Sequence, residues 1–158
     1  MAVEAPLSKF NRDNYKIAIA VLVAVAIWFS YDGYLSKSFH QEHVVNKGGE
    51  PDLIMLINRY SPPVLAVIAV LVAVRLAMVK DRKVTAGDDA IVLADGKTIP
   101  YKSIQQIDKT WFESKGRLIV TYKTQAGTEA KLLLSGRTYD NMAAVLDVMT
   151  AKITGRSA

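Results

Sequence analysis

The side chains that could bind a metal ion are concentrated in one short segment. His40, Glu42 and His43 lie in the sequence HQEH, and this spacing can place them on one face of a helix. Imidazole nitrogens and carboxylate oxygens are ordinary zinc ligands, but no further ligand cluster accompanies them. The chain has no other histidine and no cysteine. We therefore interpret HQEH as a solvated loop segment and expect no metal, haem or other cofactor.

The groups needed for catalysis are not brought together by the sequence. Ser103 and Ser135 have no histidine near them, there is no glycine-rich phosphate loop, and the Asp88-Asp89 pair is typical of a solvated turn. We therefore expect no enzyme activity and no small-molecule substrate. The net charge of +5 is modest, and no basic stripe with interleaved aromatic residues is present. Nucleic-acid binding is not expected either.

An aromatic pair beside basic residues is the other chemical feature. Trp111 and Phe112 are followed by Lys115 and Arg117. Adjacent strand residues point to opposite faces, so we expect one ring to lie in a core and the other at the surface. An exposed ring beside cations can contact anionic headgroups or a partner protein. Trp111, Lys115 and Arg117 are thus the candidate lipid- or partner-binding surface.

Two apolar stretches indicate where the chain meets lipid. Residues 17–29 carry no charge, and residues 64–79 carry one, Arg75. With their flanks each stretch reaches a helical length of roughly 27 Å, close to the thickness of a bilayer core. Because only a helix satisfies its own backbone in hydrocarbon, we predict transmembrane helices at 15–34 and 63–80. Arg75 lies close enough to its helix end to reach the interface.

The first apolar stretch also resembles a signal peptide, since Lys9, Arg12 and Lys16 precede it. However, it ends in Trp28 and Phe29, with no small-residue cleavage site after them. Aromatic residues at that depth are typical of an interfacial belt, so we expect a retained anchor.

The cations beside the apolar stretches predict the orientation. Both the N-terminal tail and the segment after the second stretch are basic, whereas acidic residues dilute the cations of the connecting segment. The positive-inside rule then places both termini in the cytoplasm. We expect the membrane to be a bacterial inner membrane. The expected divisions are a cytoplasmic tail at 1–14, transmembrane helices at 15–34 and 63–80, an external loop at 35–62 and a cytoplasmic domain at 81–158.

The external loop is longer than a tight hairpin needs. Asp52 is a suitable N-cap for an apolar pentad at 53–57, which we predict as a short helix lying in the interface. The alternative is the start of a longer second helix. Pro62 and Pro63 argue against that alternative.

Small residues recur along both predicted spans at helical spacing. Such spacing lets another helix backbone approach closely, so we predict helix packing through these faces. The partner is either the other span or a different subunit. The residues are Ala66, Ala69, Ala73 and Ala77 in the second span, and Ala20 and Ala24 in the first.

The C-terminal half changes from helical periodicity to the alternation of β-strands. Asp95-Gly96 is a typical two-residue hairpin turn, and Pro100 in the strand after it favours an edge position. Residues 102–108 fit either one helical turn or a bulged strand. The other strands are expected at 90–94, 98–101, 110–113, 118–122 and 129–134, with Leu118, Val120, Tyr122, Ala130, Leu132 and Leu134 facing inward.

An amphipathic helix is expected to close this domain, with Asp140 as its N-cap and Gly155 as its stop. Its apolar stripe consists of Met142, Val145, Leu146, Met149 and Ile153. The predicted fold is therefore a membrane protein with two transmembrane α-helices and a small α+β domain. That domain is an antiparallel sheet or partial barrel with a C-terminal helix.

The run GKTIPYKSI at 96–104, followed by Ile107-Asp108-Lys109 and Trp111, resembles bacterial pleckstrin-homology-like domains. The resemblance covers residues 84–154 and implies a curved sheet plugged by the terminal helix. In such domains a basic hairpin can bind phosphorylated headgroups. The family fold has seven strands, and about five are recognisable here. Either two strands are hidden in 81–89, or the sheet is cut short and leaves an edge for a partner.

We therefore expect a non-enzymatic accessory or scaffold subunit of a larger integral membrane complex. Its alanine-faced helices would dock onto other membrane subunits within the lipid bilayer, and its cytoplasmic domain would cover or recruit a partner. The alternative is a membrane-tethered adaptor or sensor whose domain binds lipid headgroups or a peptide.

Overall fold

The computed structural model describes residues 2–155 in two compact units. The hairpin unit is Asp13–Met78. The sheet unit combines the described residues up to 12 with those from 79 onward. Residue 1 and residues 156–158, at the ends of the predicted tail and domain, lie outside the described residues.

The hairpin unit is built on two long helices, α1 (Lys9–Ser30) and α3 (Leu53–Val79). A π-helical turn, Tyr31–Leu35, extends α1, and the connection contains α2 (Lys37–His43) and a 3₁₀ turn, Val45–Lys47. With the π-helical turn, α1 reaches 27 residues, as does α3, and both are long and apolar enough to cross a membrane. Both helices begin earlier in the chain than their expected spans at 15–34 and 63–80.

The separate interfacial helix at 53–57 does not form, because α3 continues through Pro62 and Pro63. That part of the prediction was wrong. A proline inside a helix removes the hydrogen bond to the carbonyl four residues earlier, but a neighbouring donor can replace it. Here the Tyr34 hydroxyl donates to the Arg59 carbonyl at 2.8 Å, the carbonyl that lacks its Pro63 donor. Asp52 caps α3 as predicted, since Met55 N donates to its Oδ1 at 2.9 Å.

Each long helix has one side whose residues are buried or half-buried, while most of their neighbours are exposed. These residues recur at alternating spacings of three and four. This is the spacing of residues that share one face of a helix. Along α1 and its π-helical turn the side consists of Tyr15, Ile19, Leu22, Ala26, Phe29 and Gly33, and along α3 of Met55, Asn58, Pro62, Leu65, Ala69, Val72 and Leu76.

The sheet unit has two antiparallel sheets, ordered β1-β2-β3-β4 and β5-β6-β7. Four-residue α4 (Phe112–Lys115) precedes β6, and α5 (Met142–Thr154) follows β7. The strands are β1 (Val3–Pro6), β2 (Lys83–Ala86), β3 (Ala90–Val92), β4 (Thr98–Pro100), β5 (Ile104–Asp108), β6 (Arg117–Lys123) and β7 (Glu129–Ser135).

Two of these strands had not been recognised. One of them, β2, lies in the 81–89 segment, where a hidden strand was one of the alternatives. The other, β1, comes from the N-terminal segment that was expected to be a polar tail, and pairs with β2 from Val3↔Ala86 to Pro6↔Lys83. At the last residue of β1, Asp140 N also donates to Pro6 O at 2.9 Å. The 81–89 segment thus contains one of the two strands that the first alternative placed there, and β1 is the end strand of its sheet.

Most local features of the sheet unit follow the prediction. Gly96 adopts a positive φ of 84° in the β3–β4 turn, and β4 with Pro100 is an edge strand. Residues 101–108 form both expected alternatives in succession, a 3₁₀ turn followed by the bulged strand β5. The inward residues of β6 and β7 and the stripe of α5 form or contact one core with β1 to β4.

Two local predictions were wrong. Residues 110–113 are not a strand, because Asp108 accepts the Thr110 N–H at 2.9 Å and the chain turns into α4. Asp140 does not cap α5, which follows Asn141 at a positive φ of 61°. Its carboxylate instead accepts the backbone N–H of Lys9 at 2.9 Å, in the first turn of α1 that belongs to the sheet unit.

Candidate interaction surfaces

The structure brings Trp111, Lys115 and Arg117 together around α4. The Lys115 ammonium lies 4.1 Å from the centroid of the Trp111 ring, a cation–π contact, and Arg117 N donates to Trp111 O at 3.2 Å. Trp111 is 49% exposed, whereas Phe112 packs against the core. Trp111 is thus the exposed ring and Phe112 the half-buried ring that contacts the core, but Phe112 begins α4 and the two rings are not separated by strand alternation.

Acidic groups border this aromatic surface. Hydrogen bonds from Thr110 hold the pKa of the Asp108 carboxyl below its ordinary value, so Asp108 is charged at neutral pH. Glu113 lies on α4 itself. The surface therefore presents an exposed indole with cations and anions around it, which suits a headgroup layer or a mixed-charge protein face.

A basic cavity in the sheet unit was not anticipated from the sequence. It measures about 1150 Å³ and is lined by the β3–β4 turn, β4, the 3₁₀ turn and the β6–β7 turn. Lys97, Lys102 and Lys123 line it, and none of its described lining residues is acidic. Lys97 Nζ donates to Tyr122 Oη at 2.6 Å. Lys97 lies in the β3–β4 turn, Lys102 in the 3₁₀ turn and Lys123 at the end of β6, so sequence spacing gave no sign that they share a cavity.

The alanines of the long helices divide between two environments. Ala69 is buried on the inward side of α3, while Ala66, Ala73 and Ala77 are exposed. At about 100° per residue, those three form a flank beside the inward side.

Ala20 and Ala24 of α1 are also exposed. The same helical geometry places them roughly opposite that helix's inward side. Packing onto a further helix through the exposed alanines remains a prediction.

The HQEH segment lies in α2 and is hydrogen-bonded to the residue that caps α3. His43 Nδ1 is 2.8 Å from Asp52 Oδ2, and its ring lies 4.2 Å from that of Phe39. The bond from His43, assisted by the Met55 N–H, holds the pKa of the Asp52 carboxyl below its ordinary value. Among residues 2–155, no three His, Asp or Glu side chains are grouped in a way that could hold a metal ion.

The junction between the π-helical turn and α3 is the most constrained contact of the hairpin unit. A Cβ on Gly33 would lie 2.7 Å from the Asn58 carbonyl oxygen, so only glycine fits there. Arg59 Nε donates to the Gly33 carbonyl at 3.1 Å, and the Tyr34 hydroxyl donates back to the Arg59 carbonyl. This reciprocal pair joins the end of α1 to α3.

The junction was missed because its partners lie about 25 positions apart in the chain. The visible signals were the Pro62-Pro63 pair and a glycine inside an apolar helix. No family model, curated protein or solved structure matches the chain.

Proposed function

We propose that the protein is a non-enzymatic accessory or scaffold subunit of a larger integral membrane complex. The observation that carries this proposal is the division of α3 into two sides. The inward side is used within the hairpin unit, while the flank of Ala66, Ala73 and Ala77 stays exposed. A flank of small residues allows a further helix to approach closely.

Exposed apolar side chains on both long helices support membrane insertion. A surface this apolar requires lipid or protein around it, and helices satisfy their backbone groups in hydrocarbon. These exposed side chains include Ile17, Val21, Ile27, Trp28, Val64, Val67, Val70, Leu71 and Met78.

The chain order supports a two-span topology with both ends on one side. Because β1 precedes α1 and pairs with β2, which follows α3, both ends of the hairpin unit lead into the sheet unit. Two crossings return the chain to the side from which it started. The basic residues around the two ends favour the cytoplasmic side of a bacterial inner membrane.

The strand count supports a pleckstrin-homology-like sheet unit. Sheets of four and three antiparallel strands with a C-terminal helix match the seven strands and terminal helix that the resemblance implies. We propose on this basis, and on the 96–104 run, that the unit is pleckstrin-homology-like.

Purification from native membranes in mild detergent tests the proposal. We expect companion membrane subunits to co-purify with the wild type, and an Ala73→Phe variant to lose them because the ring fills the exposed flank. Val67→Phe adds the same ring on the far side of α3 and is expected to retain them. A wild type that purifies without companions, or equal losses from both variants, contradicts docking through this flank.

The exposed Trp111 with Lys115 favours a second candidate, an adaptor that binds lipid headgroups through the sheet unit. Brominated lipids in nanodiscs quench an indole that contacts them, and a Trp28→Phe background leaves Trp111 as the only tryptophan. An adaptor of this kind predicts quenching that rises with anionic lipid and falls in Lys115→Gln. Quenching that does not change with the fraction of anionic lipid contradicts the adaptor function.

A further inference from the structure

The loop end of the hairpin unit contains a small polar cavity that has no role in either function proposed above. Its volume is about 290 Å³, and it lies between the π-helical turn, α2 and α3. Three basic side chains line it, Lys37, His40 and Arg59, together with the polar groups of Tyr34, Ser36 and Gln41. None of the described residues that line it is acidic.

Arg59 is held in a fixed position within this cavity. Its Nε donates to the Gly33 carbonyl, and its own carbonyl accepts the Tyr34 hydroxyl. No described residue accepts a hydrogen bond from the terminal guanidinium nitrogens, which leaves the forked part of the group for a ligand. A planar guanidinium binds two oxygens of a phosphate or carboxylate at once.

The neighbouring charges leave the cavity cationic. Lys37 has no carboxylate partner among the described residues. Asp52, a nearby acid of the loop, is already engaged by His43 at 2.8 Å. Asp32 and Glu42 are close in sequence but do not line the cavity.

The aromatic residues around this end indicate the source of the anion. Trp28, Tyr31, Tyr34 and Tyr60 are all exposed where α1 and α3 approach the loop. Exposed tryptophan and tyrosine at helix ends are typical of the headgroup level of a bilayer. Lipid phosphates lie at that level, within reach of a cavity beside Tyr34.

We propose that Arg59, Lys37 and His40 form a binding site for the phosphate of an anionic phospholipid at the loop end of the hairpin unit. The inference rests on the membrane insertion proposed above. The site would hold one headgroup against the junction of Gly33, Tyr34 and Arg59.

Native mass spectrometry of the full chain in neutral detergent, titrated with phosphatidylglycerol or phosphatidylcholine, tests this site. We expect tighter binding of phosphatidylglycerol and a loss of about fivefold in Lys37→Gln, the usual effect of one basic residue near an anionic surface. Lys47→Gln removes an equal, exposed charge in the same loop outside the cavity and is expected to change nothing. Arg59→Gln is expected to lose more than Lys37→Gln, with circular dichroism as its folding control.

Three outcomes overturn the site. They are equal binding of the two lipids, equal losses in the Lys37 and Lys47 variants, and displacement of the lipid by millimolar inorganic phosphate, which would assign the cavity to a soluble anion. Alkaline extraction separates these failures from failure of the membrane proposal. A chain that stays in the membrane pellet without lipid selectivity contradicts the site alone, whereas a chain released by alkali contradicts insertion.

Discussion

Single residues fix the loop end of the hairpin unit, and Gly33 is the most demanding of them. Its backbone lies against the Asn58–Arg59 peptide so closely that a Cβ would meet the Asn58 oxygen at 2.7 Å and the Asn58 carbon at 2.9 Å. The contacted carbonyl is the one that Pro62 leaves without its helical donor. Gly33 and the Pro62-Pro63 pair thus both contribute to the close approach of the π-helical turn to α3.

Replacing Gly33 by alanine is therefore expected to destabilise the hairpin. Overpacking against a backbone that cannot move aside costs roughly 1–3 kcal/mol. Unfolding by a graded SDS titration, followed by helicity, measures the loss. Gly136→Ala is the matched control, since its nearest atoms lie at 3.7 and 4.0 Å. Equal stability of the Gly33 variant and the wild type would show that the close approach is not present in the folded protein.

The Asp52 carboxyl gives a pH-dependent prediction. Because the hydrogen bond from His43 lowers its folded pKa, its stabilising effect is complete above the ordinary carboxyl value and is lost as pH falls through the lower folded pKa. A ¹³C carboxyl titration should show a depressed midpoint for Asp52. His43→Phe keeps an aromatic ring beside Phe39 but removes the nitrogen, so the midpoint should rise. His40→Phe should leave it depressed, and an Asp52 midpoint unaffected by His43→Phe contradicts the pairing.

At the scale of elements, the strand before α1 completes the sheet that follows α3. Ala5 of β1 is fully buried, and Val3 packs against the same core. Ser8 then accepts the Asn11 N–H at 3.2 Å and starts α1, while Asp140 accepts the Lys9 N–H. Residues 2–12 are therefore a structural part of the sheet unit.

A charge on the buried side of β1 should therefore weaken the sheet unit. Ala5→Asp places an unpaired carboxylate in the core, at a cost of about 3–5 kcal/mol. Hydrogen exchange on β2 and β3 peptides should accelerate accordingly. Glu4→Gln changes the neighbouring residue, whose side chain forms an exposed ion pair with Lys83 at 2.6 Å, and should cost under about 1 kcal/mol. Unchanged protection of β2 in Ala5→Asp contradicts the pairing of β1 with β2.

Elements with strong local signals were predictable from the sequence. The apolar length of α1 and α3, the Asp95-Gly96 turn, the alternation of β6 and the stripe of α5 each lie within one short segment. By contrast, β1 has four residues and its partner lies about eighty positions away. α3 continues through Pro62 and Pro63, and the donor to the Arg59 carbonyl that Pro63 leaves free is the Tyr34 hydroxyl, about 25 positions earlier in the chain. No local pattern could reveal either feature.

The candidate surfaces also divide into those with a local sequence signal and those assembled only by folding. Trp111, Lys115 and Arg117 fall within seven positions and were predicted together. The cavity of Lys97, Lys102 and Lys123 and that of Lys37, His40 and Arg59 are assembled by folding, from turns and helix ends that the sequence separates. Ala69 is buried, and it shares the inward side of α3 with larger residues such as Leu65 and Leu76.

At the scale of the whole molecule, two apolar helices are inserted between the first strand of a sheet and the rest of it. Because β1 pairs with β2, both strands must lie on the same side of the membrane. The chain between them must therefore cross the membrane an even number of times. We therefore expect the α2 loop on one face of the membrane and all seven strands on the other. The chain contains no cysteine, so a cysteine introduced at a chosen position is the only thiol.

Labelling of single cysteines in intact cells with a membrane-impermeant maleimide tests this topology most directly. Lys47→Cys lies in the loop and Lys123→Cys at the exposed end of β6. The account predicts that the Lys47 variant reacts in intact cells and that the Lys123 variant reacts only after lysis. Reaction of the Lys123 variant in intact cells would contradict it.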